Sequence, residues 1–299
     1  MYDQAARLRE LAQEKIEPPR AVKTTTRFKT IVISSGKGGV GKSTVTLNLS
    51  FCLAKAGFRT ILLDADMGMG NIDIMLGAVA KYNLYHVVHR FKGIDEIVLH
   101  VADGLDIIPG GSGISELADL GDAELDHLIQ EFAKLDGQYD YMLIDTGAGI
   151  SKQVMRFLLA ADEIIVVTTP EPTSFTDAYG LIKSLHACRY DSKVHLIMNR
   201  VMNDAEGQIM ADKFKRVSQK FLEREINCLG SIRRDSNVED SIRNHQVIVE
   251  AIPNGPTAKS ILAIAEKLTH STSEQNAQPT VGGEGIRGFF KKLFGLRVN

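Results

Sequence analysis

The sequence predicts one α/β domain, a doubly wound and mostly parallel sheet with helices on both faces. Two observations carry this. The strand-like segments are continuous apolar runs, the pattern of strands buried on both sides, rather than alternating ones. They take turns along the chain with segments of helical periodicity. A third observation sharpens the expectation: the residues that carry chemistry sit just after strand runs, where ligands gather in such sheets.

Taken in order, the strand candidates are residues 30–34, 60–64, 105–108, 141–145, 163–168 and 194–199, with a shorter one at 228–232. Helical patterns cover 43–56, 125–134, 152–160, 177–186 and 208–225. With 299 residues, 44% of them hydrophobic, the chain can bury one large core. A formal net charge of −2 argues against a general polyanion binder, and so against nucleic acid as the main partner. Cys52, Cys188 and Cys228 are far apart and form no metal or disulfide pattern, and Cys52 falls on an apolar helix face. The first twenty residues are polar and charged, unlike a signal peptide. No uncharged apolar run is long enough to span a bilayer, so a cytoplasmic protein is expected.

The most specific motif is Ser35-Gly36-Lys37-Gly38-Gly39-Val40-Gly41-Lys42-Ser43-Thr44, between a strand run and a helical run. Gly36, Gly41, Lys42 and Ser43 have the spacing of a phosphate-binding loop. In that chemistry backbone N–H groups and the helix N-terminus hold the phosphates, the lysine reaches the β- and γ-phosphates, and the hydroxyl holds Mg²⁺. Lys37 adds a second cation that nucleotide phosphates would compensate, and it is also placed to reach another subunit's nucleotide. Asp145, at the end of a strand run, is the candidate carboxylate for Mg²⁺. Asp64 and Asp66 stand two residues apart at another strand end, and Asn199 ends a third.

The run from Lys37 to Thr44 resembles the deviant phosphate-binding loop of the MinD/ParA class of ATPases, and the likeness extends over roughly residues 28–268. It implies ATP and Mg²⁺ as ligands, a P-loop fold, and an ATP-dependent homodimer in which Lys37 touches the partner's phosphates. It implies that Asp66 orients the attacking water, that Asp64 supports the Mg²⁺ shell, and that Asn199 reads the adenine edge. Lys37, Lys42 and Asp66 are then the catalytic candidates. Residues 36–44 and Asn199 hold the nucleotide, and Ser43, Asp64, Asp66 and Asp145 attend the metal. The loop after Asp145 departs from MinD itself, with Gly147 and Ser151 where a proline and a later glutamate are usual.

The two ends are tethered to this domain by stretches that read as linkers, 17–28 and 270–285, around a core of 29–269. Residues 286–297 carry Ile286, Phe289, Phe290, Leu293 and Phe294 at helical spacing, with Arg287, Lys291, Lys292 and Arg297 and no acidic residue. That suits a helix lying on an anionic membrane, and it resembles the membrane-targeting tail of MinD-type proteins; a helix docked on its own core or in a partner groove has the same pattern. In residues 1–16, Asp3, Gln4, Arg7, Leu8 and Arg9 match an element of the flagellar-regulator group within the family (FlhG, YlxH or FleN). The resemblance implies that this element stimulates the signal-recognition-type GTPase FlhF. It further implies basal-body (C-ring) proteins or a flagellar transcription regulator as partners, and reversible attachment to the inner face of the cell membrane. Two alternatives are a MinD-type division-site regulator and a ParA-like DNA-segregation ATPase. The second would use Lys213, Lys215, Arg216, Lys220 and Arg224 on a helix whose apolar side includes Ile209, Val217 and Phe221.

Overall fold

The computed structural model describes residues 28–66, 72–117, 120–190, 192–273 and 285–295. The proposed N-terminal element, including Asp3, Gln4, Arg7, Leu8 and Arg9, lies outside the described residues, as do most of the second linker and Arg297.

In chain order, β1 (Lys29–Ser34) leads through the glycine-rich loop into α1 (Lys42–Lys55), followed by β2 (Thr60–Ala65). Three short helices follow, α2 (Ile72–Met75), α3 (Leu84–Val88) and α4 (Ile94–Ile97), then the hairpin of β3 (Leu99–Ala102) and β4 (Leu105–Ile108). Next come α5 (Gly113–Glu116), α6 (Asp122–Ala133), β5 (Tyr141–Thr146), α7 (Lys152–Ala160), β6 (Glu163–Thr168), α8 (Pro172–Ala187), β7 (Lys193–Val201) and α9 (Asp204–Leu222). The chain closes with β8 (Asn227–Arg233), α10 (Ser236–Arg243), α11 (Ile248–Ala251), α12 (Pro256–Ser273) and α13 (Gly285–Leu293).

The eight strands lie in the order β3-β4-β2-β5-β1-β6-β7-β8. Every pairing is parallel except β3 with β4. β1 sits at the centre, between β5 and β6, so the loop that follows it opens where the strand order turns from one half of the sheet to the other. Alternate residues of each central strand enter two separate cores. Ile31 and Ile33 pack with α1, α11 and α12, whereas Val32 packs with α6, α7, α8 and α13.

Three differences from the sequence-based expectation have physical causes. β3 was not expected: it is an edge strand with His100 exposed, so it lacks the doubly buried apolar run. α8 begins at Pro172, five residues ahead of the expected start, because proline at the first helical position needs no N–H partner. The buried stripe of α9 is Gly207, Ala211, Phe214, Ser218 and Leu222, while Ile209 and Phe221 are exposed. The small residues at 207, 211 and 218 are what allow α9 to approach the sheet, and a Cβ on Gly207 would lie 2.5 Å from Ser231 Oγ.

α13 packs on α6 and α7, with Ile286, Phe289, Phe290 and Leu293 buried. The Phe290 ring stacks on Phe132 at 3.5 Å between centroids, and Phe289 lies 6.4 Å from Phe157. The Asp136 carboxylate accepts the Arg287 backbone N–H at 3.2 Å, placing a negative charge at the positive end of the helix. Of the three arrangements its sequence allows, this structure has the helix docked on its own core, with Arg287 and Lys292 exposed and Lys291 half-buried. No helix among the described residues is long and apolar enough to cross a membrane.

Candidate functional site

The glycine-rich loop joins Ser34 to Lys42 and delivers the N-terminus of α1 to the carboxyl edge of the sheet. Gly41 has φ 88°, and a Cβ there would lie 2.5 Å from Asn199 Nδ2, so this turn requires glycine. No side chain caps α1 and its first turn carries no acidic residue. Its N–H groups and dipole therefore face the loop as an anion cradle, the fit a nucleotide's phosphates need.

Lys42 is buried, with Nζ 2.9 Å from Asp145 Oδ2, 3.3 Å from Ser43 Oγ and 3.9 Å from Asp66 Oδ2. The Ser43 hydroxyl donates to Asp145 Oδ2 at 2.6 Å. Thr46, one turn along α1, has its hydroxyl 2.8 Å from Asp145 Oδ1 and 2.9 Å from the Lys42 carbonyl. Asp64 accepts the backbone N–H groups of Asp66 and Ile72, each at 3.2 Å, one on each oxygen. It thus shapes the chain on either side of residues 67–71 from behind the site. Burial, with the Asp145 charge next in importance, pushes the Asp64 carboxyl up to about 7.

Ser43 and Asp145 offer hard oxygen donors of the kind Mg²⁺ takes alongside phosphate oxygens and water. Among the described residues no three His, Cys, Asp or Glu side chains form a metal site of their own. The ion would therefore depend on the nucleotide for the rest of its shell.

The loop after Asp145 is tied to the phosphate loop: Gly149 N–H donates to the Ser35 carbonyl at 2.8 Å and the Thr146 hydroxyl to the Ile33 carbonyl at 3.1 Å. Ser151 caps α7, accepting the Val154 N–H at 3.3 Å. A space of about 210 Å³ lies between Asp66, Gly147, Ser151 and Phe157.

A second cavity, about 340 Å³, runs from Gly41 and Thr44 past Asn199 to Glu171, Ile232 and Val238. Its place beside the start of α1 suits the base and sugar of a nucleotide. Asn199 Nδ2 donates to the Val40 carbonyl at 2.7 Å, and Oδ1 accepts the Arg200 N–H at 2.9 Å. One N–H and one lone pair are left for a base edge. A larger and more open cavity, about 600 Å³, lies against Phe51, Leu99 and His245, apart from these residues.

The structure thus brings Lys42, Ser43, Asp66 and Asp145 together at the start of α1, with Asp64 behind them and Asn199 on the neighbouring cavity beside Gly41. Lys37 points elsewhere, with Nζ 3.1 Å from Thr173 Oγ1 and 3.7 Å from Glu171 Oε2. Sequence reasoning missed Thr46, Glu171, Thr173 and Val238. Only Thr46 left a signal, four residues after Lys42 on the same helix face. Of the basic stripe weighed for DNA, Arg224 is committed to the Tyr190 and Ser192 carbonyls.

The sequence pattern of a family described as "AAA domain" matches residues 28–198. The flagellum site-determining protein YlxH of Helicobacter pylori is 36% identical over 298 residues, 98% of each chain. The antiactivator FleN of Pseudomonas aeruginosa is 34% identical over 238 residues, 80% of this chain and 85% of that one. The chain belongs to the MinD/ParA family of ATPases. The MinD/ParA fold is matched in turn by the septum site-determining protein MinD of Pyrococcus horikoshii, solved as a complex with Mg-ADP. The TM-score is 0.67 at 24% identity, covering 83% of this chain and 98% of that one.

Proposed function

We propose that the protein is an ATP-driven switch that regulates flagellar number or placement from the membrane surface. Two copies would join when each holds ATP, with Lys37 of each reaching the other's phosphates. The bound nucleotide and Mg²⁺ supply the phosphoanhydride and the charge neutralisation that hydrolysis requires. Lys42 would bind the β- and γ-oxygens, Ser43 and Asp145 would hold the ion, and Asp66 would orient water. With no strong base and a catalytic lysine borrowed from a second copy, turnover would be slow and set by partners.

The observation that carries this reading is the seat of α13. It lies on α7, which Ser151 caps and which follows the loop after Asp145 that would sense the γ-phosphate. A change in residues 147–151 would move α7 beneath Phe289. Release would then offer the apolar face to lipid while Arg287, Lys291 and Lys292 meet anionic headgroups. One such helix binds weakly, and two in a dimer bind far better. The flagellar output is supported by the name of the relative YlxH, a flagellum site-determining protein. Within it, Asp3, Gln4, Arg7, Leu8 and Arg9 would stimulate an FlhF-type GTPase, with C-ring proteins or a transcription regulator as further partners.

The test is sedimentation of the full chain with vesicles of anionic phospholipid. It should co-sediment with Mg²⁺ and a non-hydrolysable ATP analogue, and stay in the supernatant with ADP or as Lys37→Ala. Equal partition with both nucleotides would refute the switch. For the N-terminal element, a peptide of residues 1–20 should raise FlhF GTP turnover, and Gln4→Ala should abolish the effect.

A further inference from the structure

Asp145 is buried at the end of β5, and its two oxygens have different company. Oδ2 takes Lys42 Nζ at 2.9 Å and the Ser43 hydroxyl at 2.6 Å. Oδ1 takes the Thr46 hydroxyl at 2.8 Å. Lys42, Ser43 and Thr46 share one face of α1, since residues three and four apart on a helix stand one above another. Both partners of Oδ2 have other duties in a filled site: Lys42 is due at the phosphates and Ser43 at the ion. Thr46 lies a turn deeper and is fully buried. Its hydroxyl proton has two acceptors in range, Asp145 Oδ1 and the Lys42 carbonyl at 2.9 Å. The carbonyl already takes the helical N–H from four residues on, and a carboxylate makes the stronger bond, so the proton belongs to Asp145.

We propose that Thr46 is a positioning residue for the metal: it pins Oδ1 of Asp145, so that Oδ2 stays aimed at the ion when Lys42 leaves for the phosphates. This rests on the reading above, in which Ser43 and Asp145 hold Mg²⁺. Water has no way to replace the hydroxyl, because Thr46 is 0% and Asp145 1% exposed. Without it, Oδ1 would be a buried charged acceptor lacking its donor. The carboxylate would then swing to share the Lys42 ammonium between both oxygens, and a carboxylate so engaged offers less to an ion. Groups that hold a metal's ligand in place typically matter about ten- to a hundred-fold in metal affinity. The same helix supplies a control. Ser50 is equally buried and donates to the Thr46 carbonyl at 2.9 Å, but it meets no carboxylate among the described residues.

The experiment titrates the full chain with a fluorescent ADP, first in EDTA and then at rising Mg²⁺, and reads the Mg²⁺ concentration that gives half of the gain in affinity. Urea unfolding of the nucleotide-free protein runs beside it. Thr46→Val and the smaller Thr46→Ala should bind ADP in EDTA as the parent does, yet need about ten-fold more Mg²⁺ for the half-gain. Thr46→Ser, which keeps the hydroxyl, should restore the parent value. Ser50→Ala should lower the urea midpoint and leave the Mg²⁺ requirement alone. The proposal is overturned if the Val and Ala variants need no more Mg²⁺ than the parent. It is equally overturned if Ser50→Ala shifts the requirement as far as they do, or if their loss of affinity is already complete in EDTA. Ser43→Ala separates the anchor from the reading beneath it. If that variant loses the Mg²⁺ effect while the Thr46 variants match the parent, only the anchor is wrong. If Ser43→Ala keeps the effect, the assignment of the ion to Ser43 and Asp145 falls as well.

Discussion

At the carboxyl ends of β1, β2 and β5 one lysine, Lys42, faces Asp64, Asp66 and Asp145. At the amino ends of β1, β6 and β7, Lys29 and His195 face Glu163. Apart from the half-buried Asp66, both clusters are buried along the same sheet. In the lower one, Lys29 Nζ is 2.7 Å from Glu163 Oε1 and His195 Nε2 is 3.1 Å from Oε2. Asn227 Nδ2 donates to His195 Nδ1 at 3.2 Å, which leaves the proton of the neutral ring on Nε2, aimed at Glu163. Burial alone would raise Glu163, but the His195 hydrogen bond and the Lys29 charge outweigh it and hold the carboxyl below its ordinary range. In the upper cluster burial and Asp145 prevail, and Asp64 goes up to about 7. One cluster closes on itself. The other has an excess of carboxylates that a divalent ion would balance, which is the economy of a binding site as against a structural lock.

Equivalent substitutions at the two ends should therefore diverge. The largest effect is expected from the lysines. Lys42→Ala should lower ATP turnover by about 10³-fold, whereas Lys29→Ala should leave it within about two-fold while lowering stability. Steady-state phosphate release beside urea unfolding separates the two, and similar turnover losses would erase the contrast.

Next is Glu163→Gln, expected to cost about 3 kcal/mol at pH 7 because Lys29 and His195 lose the buried carboxylate charge between them. The sign follows from a depressed folded pKa: the stabilisation is complete above the unfolded value of about 4.3 and is lost as pH falls through the lower folded value. Urea midpoints should show the gap between parent and variant narrowing below that pH.

The smallest effect has the opposite sign. In nucleotide- and magnesium-free protein, Asp64→Asn should raise stability at pH 8 by a net of about 1 kcal/mol, because relief of the buried charge is largely offset by the loss of one of the two backbone N–H bonds that Asp64 accepts. Here the folded pKa is raised, so ionisation of Asp64 erodes stability as pH climbs from about 4 toward 7, and the advantage of the amide should fade below that window. An acid-to-amide change that destabilised both ends would sink the comparison.

How far the sequence reveals this arrangement depends on what each residue needs nearby. The strands β1, β2, β5, β6 and β7 were legible because their runs are buried on both faces, and the loop from Gly36 to Thr44 because its spacing is set by phosphate geometry. β3 was not, since an edge strand with one exposed face has a weak pattern. The apolar side of α9 was misread because large residues drew attention from the small ones that touch the sheet. Thr46, Glu171 and Thr173 belong to no local motif; they matter through residues 99 or more positions away in sequence. The apolar stripe of 286–294 was plain, yet nothing local in it announces Phe132, Phe157 or Asp136 as its cover.

That cover has a practical side. Phe290 is one half of a stacked ring pair whose other half, Phe132, belongs to the folded body. A version of the chain shortened to end before Gly285 would leave Phe132 and Phe157 facing water. Its handling in the laboratory would be governed by self-association through that bare strip rather than by nucleotide.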